Sequence, residues 1–304
     1  VVFGTYATYV IMSIMMMVMI IMLSPAAQVS AQRINEVLET RDSLIQGTRA
    51  DASETGTVEF RDVSFHYPSS NKNVLEHITF QARQGETVAF IGATGSGKTT
   101  LVSLAARFYD ATEGQVLVDG VDVKDYTFDA LYDRVGYMTQ KAILFSGDVR
   151  GNVLFGASRG GDSDEDVRKA LDLAQASEFV DKMPGGIHAP IAEGGTNVSG
   201  GQKQRLSIAR ALARRPEILV FDDSFSALDY RTDAKLRAGL DRELKDTTRL
   251  IVAQRIGTIR DADKIIVLDE GKMVGMGTHN ELMRTCPVYQ EIARSQLSQE
   301  ELGA

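Results

Sequence analysis

The sharpest contrast along the chain lies between its first two dozen residues and the rest. Positions 1–23 are nearly all apolar, positions 10–23 are interrupted only by Ser13, and no charged residue occurs before Arg33. In helical form this run extends about 35 Å at ~1.5 Å per residue, enough to cross a hydrocarbon core of roughly 30 Å. Tyr6 and Tyr9, near one end, suit a membrane interface. Pro25 closes the run. Val29, Ile34, Val37, Leu38 and Leu44 then recur at mostly helical spacing, which predicts a second helix over 26–44. Residues 46–56 are polar, carry Gly47, Ser53 and Gly56, and read as a linker.

From Thr57 the period shortens. Val58, Phe60, Val63 and Phe65 predict strands with a short break. Residues 78–82 and 115–118 predict two more, the latter closed by a turn at Asp119-Gly120. Residues 87–91, 218–221, 250–253 and 264–268 have the apolar character of parallel strands buried on both faces. Helices are predicted over 98–108, 163–174, 199–213 and 231–244. Strands alternating with helices indicate an α/β core, and the β-rich stretch before it indicates an antiparallel layer alongside. There is no internal repeat.

Composition narrows the function classes. A length of 304 residues suits one to two domains. With 41 acidic against 33 basic side chains the net charge is -8, a poor match to a nucleic-acid partner. A single cysteine, Cys286, excludes an internal disulfide. The apolar run lacks the basic leader of a signal peptide. A buried soluble helix is the competing reading. The chain starts with Val, which suggests a fragment beginning inside or just before the last membrane helix of something larger. Residues 33–54 hold three basic and five acidic side chains, so charge counting does not orient that helix.

Three segments carry chemistry. Gly92-Ala93-Thr94-Gly95-Ser96-Gly97-Lys98-Thr99, followed by Thr100, fits G-x-x-x-x-G-K-[ST] and lies between a predicted strand and a predicted helix. The glycines let backbone N–H groups approach phosphate, the helix N-terminus adds positive partial charge, Lys98 reaches the β- and γ-phosphates, and the Thr99 hydroxyl binds Mg²⁺. Second, the apolar strand 218–221 ends in Asp222-Asp223, which puts a carboxylate at the sheet edge where Asp222 can hold Mg²⁺. Third, Ser199-Gly200-Gly201-Gln202 opens a helix with a good N-cap and exposed N–H groups, about one hundred residues after the first cradle. A second cradle in one chain suggests closure over a nucleotide held by another subunit. A simple capped helix is the plain alternative.

Together these segments resemble the ATP-binding cassette (ABC) transporters, specifically exporters that carry the membrane domain on the same polypeptide. The resemblance covers nearly the whole chain. It implies a P-loop NTPase core with an antiparallel β-subdomain and a helical subdomain, preceded by one transmembrane helix. The implied division is a last membrane helix at 1–24, a helical linker at 25–56, the nucleotide-binding domain at 57–298 and a tail at 299–304. By the same resemblance, Tyr67 would stack on adenine, Gln140 would touch Mg²⁺ and sense the membrane domain, and Asp229 would cross a dimer interface. Phe145-Ser146-Gly147-Asp148 and Glu193-Gly194-Gly195 resemble exporter motifs near the coupling helices. ATP and Mg²⁺ are the implied cofactors. The implied setting is an integral membrane protein with a cytoplasmic nucleotide domain, membrane lipid around it and a second half-transporter beside it.

Two positions depart from the family pattern. The residue after the Mg²⁺-binding aspartate is usually glutamate, the candidate base; here it is Asp223, one methylene shorter. The switch-strand histidine is replaced by Gln254, which donates a hydrogen bond but carries no charge. The phosphate loop and signature are intact. The site of Lys98, Asp222, Asp223 and Gln254 is therefore expected to bind ATP and turn over slowly, with the signature completing a competent partner site in a heterodimer. A homodimeric exporter with Asp223 as an adequate base, and a regulatory subunit with negligible turnover, remain alternatives. The cargo is not legible. The Met-rich apolar helix suits lipid-facing or interhelical packing better than a cargo cavity.

Overall fold

The structure, a computed structural model, describes residues 2–40, 42–156 and 161–296. The expected tail at 299–304 and positions 297–298 lie outside the described residues. The chain divides into two compact units, Val1–Ile45 and Gln46–Ala304.

The first unit is one helix, α1 (Val2–Glu39), rather than two helices separated at Pro25. Proline removes one backbone donor and crowds the preceding turn. The run after it is rich in Ala, Gln and Glu, good helix formers that resume the ladder. Its most apolar window has a mean hydropathy of 2.3, and none of its described residues is buried. Exposed apolar surface on this scale needs a non-aqueous neighbour.

The second unit contains a four-stranded sheet and a six-stranded sheet. The former has the order β2-β1-β4-β5 and is antiparallel: β1 (Val58–Phe65), β2 (Leu75–Ala82), β4 (Glu113–Val118) and β5 (Val121–Asp122). The expected break in β1 is a register shift between Phe60 and Val63, with Asp62 at φ 50°. The expected turn at Asp119-Gly120 has φ 52° and 76°, the double positive φ of a type I′ hairpin turn.

The larger sheet has the order β12-β11-β3-β10-β9-β6. Its strands are β3 (Thr87–Ile91), β6 (Val135–Met138), β9 (Ile218–Asp222), β10 (Thr248–Val252), β11 (Lys264–Asp269) and β12 (Lys272–Gly277). All neighbours are parallel except β11 and β12. Alternate side chains enter two different cores. Val88, Phe90, Val220, Leu250 and Ile266 face the antiparallel sheet and α2 (Lys98–Ala105). Ala89, Ile91, Phe221, Ile251 and Ile265 face the helical layer. Both faces are covered, which is why these strands read as apolar runs rather than alternating ones.

The helical layer comprises α4 (Val149–Val153), α5 (Asp164–Leu173), α6 (Ser177–Val180), α7 (Gly200–Ala213) and α8 (Tyr230–Glu243). A two-strand ribbon of β7 (Gly147–Asp148) and β8 (Pro190–Ile191) accompanies it. Helices α3 (Phe128–Arg134), α9 (Ile256–Ile259), α10 (His279–Thr285) and α11 (Pro287–Gln296) complete the unit. The expected helix over 98–108 stops at Ala105, because Arg107 turns to φ 51°.

The strand order sets up the site. Residues 92–99 follow β3, Gln254 follows β10, Asp222 ends β9 with Asp223 next, and Gln140 follows β6. These four strands are consecutive neighbours, so their carboxyl ends deliver four remote segments to one edge.

Candidate nucleotide-binding site

The phosphate loop depends on backbone geometry that a side chain would break. At Gly92, with φ 155°, an added Cβ would lie 2.0 Å from the Leu268 carbonyl oxygen of β11. Gly97 is left-handed at φ 97° and caps α2, with Leu75 Cδ2 2.7 Å from where its Cβ would be. Lys98 Nζ folds back over the loop. It donates to the carbonyls of Gly92 at 2.9 Å and Ala93 at 2.7 Å, and to Ser96 Oγ at 3.3 Å. Burial pushes the Lys98 ammonium down from the usual lysine range, against the opposing pull of Asp223 and Asp222. The charge is thus held where anionic oxygens can displace its carbonyl partners.

Thr94, Gly95, Gly97, Lys98, Thr99 and Thr100 line a cleft of about 360 Å³ together with Gln140, Asp223 and Gln254. Sequence-predicted residues from four segments therefore share one cavity. Tyr67 stands just behind it: its hydroxyl shares a 2.9 Å hydrogen bond with that of Thr100. The Tyr67 ring meets Phe65 and Tyr109 edge-on, at centroid distances of 5.0 and 5.2 Å. Tyr109 is a second aromatic at this corner that sequence reasoning missed.

The two acids have different surroundings. Asp222 Oδ1 accepts from Thr99 Oγ1 at 2.8 Å, and its Oδ2 from the Tyr137 hydroxyl at 3.1 Å. Burial pushes the Asp222 carboxyl above the usual range, against these two hydrogen bonds, and the neighbouring Asp223 adds to the rise. Two adjacent buried acids, with hydroxyl oxygens beside them, fit a small hard cation that keeps phosphate and water as further ligands. Thr99 and Asp222 would hold Mg²⁺ here. Tyr137 was not singled out from sequence; burial raises its own hydroxyl too.

Asp223 occupies a left-handed conformation, φ 49°, uncommon for a residue with a side chain. Its backbone N–H donates to Val252 O at 3.1 Å, tying β9 to β10 just past the sheet edge. Its Oδ2 accepts from both Gln140 Nε2 at 3.0 Å and Gln254 Nε2 at 2.7 Å. Gln140, expected on Mg²⁺, here directs its amide to Asp223.

The second cradle lies elsewhere in the chain. Ser199 caps α7 through a reciprocal box with Gln202: Gln202 N donates to Ser199 Oγ at 3.3 Å, and Ser199 N to Gln202 Oε1 at 2.8 Å. Neither these residues nor Gly200 and Gly201 line the cleft. Asp229 caps α8, accepting from Thr232 N at 2.9 Å and Thr232 Oγ1 at 2.7 Å. These bonds hold its carboxyl below the usual range. At Gly200 an added Cβ would meet nothing within 4 Å, so intrachain packing does not demand glycine. Gly200→Ala is expected to raise stability by about 0.5–1 kcal/mol. If the bare helix end approaches a nucleotide on another chain, the same substitution is expected to lower nucleotide turnover. Paired thermal melts and turnover assays check both signs.

A phosphate loop at the carboxyl edge of a parallel sheet, facing a buried acid on a nearby strand, defines a phosphate-loop nucleotide-binding domain. The family model described as ABC transporter matches residues 75–226. The chain belongs to the ABC transporter family, and its fold is that of an ABC ATPase domain. It is 46% identical over 278 residues to an uncharacterized ABC transporter ATP-binding protein of Mycobacterium tuberculosis, covering 90% of this chain and 47% of that protein. It is 38% identical over 270 residues to the ATP-dependent lipid A-core flippase of Escherichia coli, covering 89% and 46%. A bacterial Atm1-family ABC exporter with ATP bound superposes with a TM-score of 0.83 at 31% identity, over 92% of this chain and 49% of that one. The chain spans about half the length of the curated relatives it matches.

Proposed function

We propose that the chain is the ATP-binding part of a membrane exporter, coupling ATP binding and hydrolysis at a dimer interface to transport. Its own ATP site is the slow, degenerate one, and Ser199–Gln202 complete a competent site on a second, different half-transporter. The apolar helix α1 would sit in the membrane with the nucleotide domain in the cytoplasm. The flippase relative points to a lipid-like cargo. Phe145 and Phe155, partly exposed rings 4.4 Å apart beside Arg210, offer an apolar seat for the membrane domain.

The observation that carries the degenerate-site reading is the double use of Asp223 Oδ2 by Gln140 and Gln254. A base must present a correctly placed oxygen to the attacking water, and the two amides fix the orientation of the Asp223 carboxylate through Oδ2. Asp223 is one methylene short of glutamate, and misplacement by about 1 Å can cost roughly a hundredfold in rate. Gln254 offers a neutral donor where histidine would offer a charge. Lys98 and the loop N–H groups hold the β- and γ-phosphate region, so binding persists while proton abstraction suffers. Mg²⁺, when bound, neutralises charge on the same phosphates.

The test is steady-state ATP turnover of the full exporter subunit without a partner, comparing wild type with D223E plus Q254H. The expected result is a nearly silent wild type and a gain of at least tenfold in the double variant, about 1.4 kcal/mol in the barrier. Wild-type turnover at several per second would instead make Asp223 a working base and favour a homodimer.

A further inference from the structure

The loop from Ala253 to Ile256 carries Gln254 from the end of β10 to the start of α9. Its first residue is tied to the sheet, with Ala253 N donating to Phe90 O at 3.1 Å. The Arg255 side chain reaches Ser226 O at 3.4 Å, and Arg255, the N-cap of α9, makes no side-chain capping bond. The two main-chain groups flanking Arg255 are instead held from a distance by one side chain. Gln296 Nε2 donates to Gln254 O at 2.7 Å, and Ile256 N donates to Gln296 Oε1 at 2.9 Å. A primary amide presents a donor and an acceptor side by side, so it can grip a carbonyl and an N–H as another strand would.

The grip is anchored. Gln296 is in the last turn of α11, at i+3 from Ala293 and i+7 from Tyr289, hence on the same face. Tyr289 and Ala293 are fully buried, and the Tyr289 hydroxyl pairs with His279 Nδ1 at 2.7 Å. Ile256 and Ile259 of α9 share their hydrophobic core. The amide therefore projects from a helix anchored in the core onto the two loop residues, Gln254 and Arg255, that lie between the buried Ala253 and Ile256.

We infer that Gln296 is a positioning residue for the nucleotide site: α11 clamps the backbone of Gln254 so that its amide is held on Asp223 and facing the γ-phosphate position. This rests on ATP occupying the cleft described above. Gln296 touches no nucleotide and acts only through Gln254. Its effect should then be selective for ligands that carry a γ-phosphate.

The test is equilibrium binding of ADP and of a non-hydrolysable ATP analogue to the full chain with excess Mg²⁺, for wild type, Gln296→Ala and Gln296→Glu. The glutamate keeps the side-chain size and the acceptor for Ile256 N, but loses the donor and sets a negative charge against the Gln254 carbonyl. Both variants are expected to bind the triphosphate analogue about three- to tenfold more weakly, the scale of one or two lost hydrogen bonds, with ADP unchanged within twofold. Equal weakening of both nucleotides, or no change in either, would overturn the positioning role while leaving nucleotide binding intact. A wild-type chain that binds neither nucleotide would overturn the ATP-binding reading, and the positioning role with it.

Discussion

Lys98→Ala is expected to remove ATP binding and turnover while leaving the fold nearly untouched. Among the described residues the Lys98 ammonium bonds to Gly92 O, Ala93 O and Ser96 Oγ, all within its own loop. Burial already disfavours its charge, so removing it relieves a desolvation penalty and leaves its three acceptors beside the cleft that Lys98 lines. Toward a triphosphate the balance reverses. Deleting one partner of a close, desolvated charge pair costs about 2–5 kcal/mol, or roughly 30- to 4,000-fold in affinity. The measurement is thermal unfolding with and without Mg-ATP. Wild type should melt higher with nucleotide, and Lys98→Ala should melt near the wild-type apo value and ignore nucleotide. A retained nucleotide shift would place the phosphates elsewhere.

Gly92→Ala is expected to fail the opposite way, losing fold and binding together. Its Cβ would lie 2.0 Å from the Leu268 carbonyl oxygen and 2.8 Å from Ser96 Oγ, at a φ of 155°. The carbonyl belongs to β11, next to β3 in the central sheet, so relief requires moving backbone rather than a side chain. Overpacking against backbone in a strained conformation costs about 3 kcal/mol or more. Gly95→Ala is the matched control, with positive φ but no atom within 4 Å of the added Cβ. Denaturant midpoints should order as wild type, Gly95→Ala, Gly92→Ala, with the large gap before the last. An unchanged midpoint for Gly92→Ala would mean that the loop is free to shift.

What was legible in sequence tracks how local the controlling interaction is. The strand at 87–91 is reproduced residue for residue, because four consecutive apolar positions after a threonine suit a strand in a sheet covered on both faces. The N-cap at Ser199 was legible because both members of its hydrogen-bonded box lie within four residues. Strand β6 was not, being four residues long with a glycine, and it exists through its pairing with β9. Tyr137 was missed with it, since that pairing brings its hydroxyl to Asp222. Gln140 lines the cleft with its amide on Asp223, a contact between residues 83 positions apart that no periodicity specifies. Gln296 lies 42 positions from Gln254, beyond the reach of any periodicity. At Pro25 a local rule misled, because one lost hydrogen bond is small against the helix on either side.

The contact between Gln140, Gln254 and Asp223 also determines how this corner answers to acidity. Both donors are primary amides, which neither gain nor lose a proton in the physiological range. A histidine at position 254 would change its charge near pH 6.5 and alter its pull on Asp223 with every swing of the surrounding medium. With glutamine there, both donors of the contact keep the same charge at any physiological pH. The pH response of this corner is therefore left to Asp222, whose carboxyl burial raises, and to Lys98, whose ammonium burial lowers, and none of it passes through position 254.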